Sequence, residues 1–180
     1  MTRKQKKRRN SDHIGALVDY YGADILDSPN YLESGRYCQH GDTSTRDHMI
    51  SVACMSIVLG RKLHLHCDEH AMVRGALLHD YFLYDWHIKN HKGHTHHATG
   101  HSSVALKNAA KDFSINPKEA DIIRKHMFPV NITPPRYRET YIVSLADKIC
   151  TVKETFSKPF YRDAINGLTQ DGSQSNHHWR

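Results

Sequence analysis

From Asp12 onward, apolar residues recur at spacings of three and four: Ile14, Leu17, Val18, Tyr21 and Ile25. That period predicts an amphipathic helix. Ser28-Pro29 supplies an N-cap with proline in the first helical position, opening a short helix to about Tyr37. Gly41 to Ser44 reads as a turn and cap, and a long helix is predicted from about Thr45 to Leu63. Another follows Asp68 and runs to about Tyr81. Residues 82–97, rich in His, Gly, Lys and aromatics, read as a loop. Further helices are predicted at about 98–113 and, after Asn116-Pro117, at 117–127, where Pro129 ends the helix. Pro134-Pro135 opens a last long helix to about Phe156. No alternating strand pattern competes, so the expected class is all-α.

Composition narrows this picture. The chain has 180 residues, 38% hydrophobic and 24% charged, which suits one folded domain rather than a disordered chain. The expected organisation is a disordered basic arm over 1–11, a helical body over 12–166 and a frayed tail over 167–180. The net charge is +6, but Arg3, Lys4, Lys6, Lys7, Arg8 and Arg9 supply six positive charges before the first acid, Asp12. The body is therefore neutral, which argues against nucleic acid as a partner. No apolar run reaches the roughly 18 residues of a membrane span, and no apolar stretch follows the basic N-terminus. Cys38, Cys54, Cys67 and Cys150 form no C-x-x-C pair and read as reduced cytoplasmic thiols. The anomaly is histidine: sixteen, of which six lie between His87 and His101.

Three of the predicted helices are apolar nearly all round, hence central, and each carries awkward polar residues. On 45–63, His48 aligns with Val52, Met55 and Leu59. On 69–81, His79 aligns with Met72, Gly75 and Ala76, and Asp80 lies beside Val73 and Leu77. On the last helix, Asp147 shares a face with Val143, Cys150 and Thr151. A lone buried carboxylate costs several kcal/mol unless it is paired or bound to a metal. Two acids and two imidazoles on central helices have one economical arrangement, convergence on a cation. Imidazole plus carboxylate suits Mn, Fe, Co, Ni or Zn better than Ca.

The order His48, His79-Asp80, Asp147 resembles the HD superfamily of metal-dependent phosphohydrolases, named for its adjacent His-Asp pair. The likeness extends over about residues 36–156. Gly75-Ala76-Leu77-Leu78-His79-Asp80 resembles the family's helix into that motif, and Leu145-Ala146-Asp147-Lys148 its closing motif. His101, followed by Ala105 and Asn108-Ala109, resembles a third histidine position, and Ile122-Ile123-Arg124-Lys125-His126 a fourth. Tyr84-Asp85-Trp86-His87 and Arg136-Tyr137-Arg138-Glu139 resemble a bacterial subgroup. The resemblance implies a compact helical bundle with a central metal cleft. His48, His79, Asp80 and Asp147 would hold one ion. A second would be held by His101 and His126, with Asp80 bridging. One or two ions remain open, because Ser102 follows His101 where many relatives have proline. His91, His94, His96 and His97 are rivals for the same position.

The chemistry expected is hydrolysis of a small phosphorylated molecule, such as a nucleotide, by a metal-bound hydroxide, since a divalent ion lowers the pKa of water from 15.7 toward about 7. Asp80 and Lys148 are expected to act in catalysis, and Asp85 to protonate a leaving group or orient water. Lys148, then Arg46, Arg124 and Lys125, are candidates to contact phosphoryl oxygens. Tyr84 and Trp86 are candidates to stack on a base. The competing reading is a non-catalytic metal or nucleotide sensor of the same fold. A nucleic-acid enzyme anchored by the basic arm and a paired-iron oxygenase are lesser alternatives.

Overall fold

A computed structural model describes residues 2–40, 42–84 and 97–156. Its centre is a pair of helices, α3 (Thr45–Lys62) and α4 (Glu69–Leu78), buried on nearly every face. Met49, Ile50, Val52, Ala53 and Ile57 of α3 meet Met72, Val73, Ala76 and Leu77 of α4 in one core. Burying each larger aliphatic side chain contributes about 1.5–3 kcal/mol. Around this pair lie α1 (Arg3–Leu26), the short α2 (Pro29–Glu33), α5 (His97–Asp112), α6 (Pro117–Lys125) and α7 (Arg138–Phe156). The class is all-α, as the periodicity predicts. Among the described residues no helix is long and apolar enough to cross a membrane.

Local chemistry sets most of the boundaries. The Ser44 hydroxyl accepts from the Asp47 amide at 3.1 Å, and the Asp68 carboxylate accepts from the Ala71 amide at 3.1 Å. Asn116 and Glu119 form a reciprocal capping box at the start of α6. Each such cap is worth about 1 kcal/mol. Asp121 fixes the entry to α7: its carboxylate accepts from Thr140 Oγ1 at 2.7 Å and from the Arg136 amide at 3.0 Å.

Three features differ most from expectation. First, α1 starts at Arg3, not Asp12, so residues 3–11 are helical rather than a disordered arm. Nothing in that stretch breaks a helix, since it holds neither Gly nor Pro and is rich in Lys, Arg and Gln. The Thr2 hydroxyl caps it through the Gln5 amide. Second, α4 stops at Leu78, leaving His79 as its C-cap and Asp80 in the following turn. Third, residues 38–44 hold a small antiparallel ribbon, β1 (Cys38–His40) on β2 (Thr43–Ser44). It is too short to show alternation.

The spacing between α4 and α6 depends on Gly75. A Cβ there would lie 2.7 Å from Cδ1 and 2.8 Å from Cβ of Ile122. Ile122 Cβ is fixed to its own backbone and cannot rotate away. Gly75→Ala is expected to destabilise the fold by about 1–3 kcal/mol through overpacking, although alanine is by about 1 kcal/mol the better helix former. Urea unfolding measures this; a more stable variant would show that the two helices separate freely.

Candidate metal centre

Six side chains from five elements meet inside the bundle. His48 comes from α3, His79 from the end of α4, Asp80 from the turn after it, and His101 from α5. His126 caps α6 and Asp147 lies on α7. All six are buried. His48 Nε2 lies 3.2 Å from Asp147 Oδ1, and His79 Nε2 lies 3.5 Å from Asp80 Oδ2 and 3.9 Å from Asp147 Oδ1. Asp80 Oδ1 faces His101 Nε2 at 3.3 Å and His126 Nε2 at 3.5 Å. The two last imidazoles approach to 3.0 Å through their Nε2 atoms.

Two helix ends use one local device. His79 Nδ1 lies 2.7 Å from the Ala76 carbonyl, and His126 Nδ1 lies 2.9 Å from the Ile123 carbonyl. A carbonyl only accepts, so each Nδ1 carries the proton and donates. Each bond satisfies one of the last-turn carbonyls that lack a helical partner. Each also leaves Nε2 as a bare lone pair, turned inward.

The surroundings hold the acids ionised. Burial works to raise the Asp80 pKa, but His79, His101, His126 and His48 hold it down to about 2. Burial opposes ionisation of Asp147 too, yet the hydrogen bond from His48 and the nearby histidines hold it well below the usual carboxylate range. Burial, with His79 beside it, pushes His126 down to about 4, so at neutral pH it is an uncharged donor of electrons. Burial would lower His48, but Asp147 and Glu154 raise it to about 10.

Both Asp80 Oδ1 and His79 Nε2 are buried without a hydrogen-bond partner. An orphaned carboxylate oxygen aimed at imidazole lone pairs is costly inside a protein. A cation removes that cost. Three overlapping sets could hold one: His48, His79 and Asp80; His79, His126 and Asp147; Asp80, His101 and His126. In each, three ligand atoms lie within 4.8 Å of one another. The donor set, nitrogen plus carboxylate oxygen, fits a divalent transition ion.

Two other residues hold these side chains, and sequence reasoning missed both. Gln39 of β1 donates from Nε2 to Asp80 Oδ2 at 2.6 Å, while its Oε1 accepts from Thr45 Oγ1 at 3.2 Å. Only the unforeseen ribbon brings it there. Glu154 accepts from His48 Nδ1 at 2.7 Å. It was legible, since it stands two helical turns past Asp147 on the same face.

The cationic candidates are placed differently. Lys148 is half-buried beside Asp147, and its ammonium donates to Ser144 Oγ at 2.8 Å and to the Ser144 carbonyl at 3.2 Å. Burial lowers its pKa, with Asp147 opposing. Arg46 packs over Gly35, with Cδ and Nη1 both 3.9 Å from where a Cβ would stand. Arg124 is exposed and two residues from His126, about 200° round the helix from it. Neither joins the cluster of acids. Lys125 pairs with Asp121 at 2.7 Å. Tyr84 packs against Phe82. Asp85, Trp86, His87 and three of the rival histidines (His91, His94 and His96) lie outside the described residues.

Fold and site together define an all-helical domain built around a buried His/Asp centre. A family model described as the HD domain matches residues 45–151, and the chain belongs to that family. It thereby joins a superfamily of metal-dependent phosphohydrolases. No curated protein and no solved structure matches the chain.

Chelation gives the direct check on the centre. A divalent ion at about 100 times its Kd should add about 2.7 kcal/mol of stability, read as a rise in melting temperature over protein stripped with chelator. Asp80→Ala should abolish that rise and lower bound metal, measured by plasma mass spectrometry, to under about a tenth. An Asp80→Ala protein with wild-type metal content would remove the assignment.

Proposed function

We propose that this protein is a metal-dependent phosphohydrolase acting on a nucleotide or another small phosphorylated molecule in the cytoplasm. The observation that carries this reading is the convergence of four imidazoles and two ionised carboxylates in one buried cluster, in which Asp80 Oδ1 and His79 Nε2 have no hydrogen-bond partner. None of the four cysteines is in a disulfide, which fits a reducing compartment.

His48, His79, Asp80 and Asp147 would hold one Mn, Fe, Co, Ni or Zn ion. His101 and His126 would hold a second, with Asp80 shared. Ions so held would supply hydroxide at neutral pH and polarise the phosphoryl oxygens. As the new P–O bond forms and the ester or anhydride P–O bond breaks, the leaving oxygen must gain a proton. Asp85 is the candidate donor. Asp80 and Asp147 keep the ligands' geometry through this step because both stay ionised across the neutral range. His126 stays uncharged there and adds no competing proton. Lys148 would leave its Ser144 contacts to meet negative charge on the phosphoryl group, which needs only rotation of a long side chain. Arg46 and Arg124 would have to swing further to reach substrate, and Trp86 would stack on a base.

The test is a panel of nucleoside monophosphates, dinucleoside polyphosphates, alarmones and simple phosphate esters, each with Mn, Fe, Co, Ni or Zn. Turnover is expected on at least one member, with kcat/KM falling at least about 10³-fold in Asp80→Ala, the scale of losing a metal-dependent step. Lys148→Ala should lower kcat/KM by about 10–100-fold while retaining metal. Metal binding without turnover on any member would favour a sensor.

A further inference from the structure

Glu154 has no part in the reaction just described, yet it is placed at some cost. It stands in the last turn of α7, 2% exposed. Its Oε2 accepts from His48 Nδ1 at 2.7 Å, and its Oε1 is buried with no hydrogen-bond partner. Burying a carboxylate with one oxygen unpartnered costs desolvation that its single bond to His48 only partly offsets. The residue also lies beyond the span matched by the family model, residues 45–151.

We infer that Glu154 is a positioning residue for the metal centre, fixing the tautomer of His48 and supplying the negative charge that lets the centre hold two divalent ions. This rests on the metal-dependent reading above and extends it.

The tautomer follows from the acceptor. Glu154 Oε2 accepts from His48 Nδ1, so once an ion takes the place of the Nε2 proton now donated to Asp147, the remaining ring proton is held on Nδ1 and Nε2 faces the centre. His79 and His126 achieve the same with neutral carbonyls. A charged acceptor goes further, because it raises the basicity of the imidazole and so its strength as a ligand.

The charge count gives the second half. With His48 a neutral ligand to a bound ion, the three carboxylates Asp80, Asp147 and Glu154 of this buried network would count as three negative charges. One divalent ion would leave the network negative, which repels a phosphorylated substrate. Two divalent ions would leave one positive charge, which attracts it. Without Glu154, two ions would leave two positive charges buried, and the second ion would meet greater repulsion.

Two variants separate charge from shape. Glu154→Gln keeps an acceptor oxygen and the volume but removes the charge; Glu154→Leu removes both. The full-length proteins would be stripped with chelator, reloaded with Mn or Zn by equilibrium dialysis, and their ion content measured by plasma mass spectrometry. Wild type is expected to take up two ions. Glu154→Gln should bind the first about 10–100-fold more weakly and lose the second at concentrations that saturate wild type. The metal-free Glu154→Gln should have a lowered melting temperature but stay folded at the temperature of dialysis, so that lost ion affinity reports on the site and not on unfolding. Glu154→Leu should be weaker again. Two ions with wild-type affinity in Glu154→Gln would overturn the inference, as would a wild type that saturates with one ion. A wild type that binds none would instead sink the metal-dependent reading itself. Should the variants fail to fold, the ¹⁵N shifts of His48 in the zinc-loaded wild type decide: a proton on Nδ1 is expected, and its absence defeats the proposal.

Discussion

Ionised acids and imidazole lone pairs pointing at one another inside a protein are the constraint on which this structure depends. No polypeptide gains by collecting them. Water would solvate each better, and Asp80 Oδ1 and His79 Nε2 lack partners where they are. What keeps them together is the core that α3 and α4 share with α6 and α7. Each larger buried side chain there contributes about 1.5–3 kcal/mol, which is the scale of one unpaired polar group. The packing can therefore hold a few such groups in place, and it holds them at the centre of its most apolar helices.

Rigid placement also needs each ring fixed in rotation, and the helix ends provide this. His79 and His126 each cap a helix, each bond a carbonyl three residues back, and each expose Nε2 inward. Ending α4 at Leu78 is part of the same device. It frees Asp80 to turn toward His101 and His126 while His79 turns toward Asp147. On α5, Asn108 donates to the carbonyls of Tyr81 and Phe82 at 3.1 Å each. His101 is thus tied to the same turn that carries Asp80.

Much of this was legible because polar residues on apolar helix faces violate a rule that seldom fails without cause. His48, His79, Asp80 and Asp147 stood out on that ground alone. His101 and His126 did not: α5 and α6 are partly polar, so a histidine there breaks no pattern, and only a family resemblance picked them out. The ribbon at 38–44 was illegible, since two paired strands of three and two residues show no periodicity. Gln39 was hidden with it. The start of α1 is hard to read for a different reason. A run of like charge suggests a solvated arm, whereas Lys, Arg and Gln resist neither helix geometry nor water.

The cationic residues mark where sequence reasoning runs out, and the reason is physical. A ligand close to the backbone is aimed by helix geometry, because its Cβ direction is fixed. A lysine or arginine head sits at the end of a flexible chain, and sequence spacing says little about where it lands. Arg124 points away from the centre by helical phase alone, yet Arg46, two residues before His48, is taken up by packing on Gly35. Lys148 is held by Ser144, whose own hydroxyl donates to the Phe128 carbonyl at 2.9 Å. That chain of bonds links the lysine to the segment just after His126. A change in the segment that moved Phe128 would therefore be felt at the ammonium, so the reach of this cation is set jointly by α7 and the turn beyond α6.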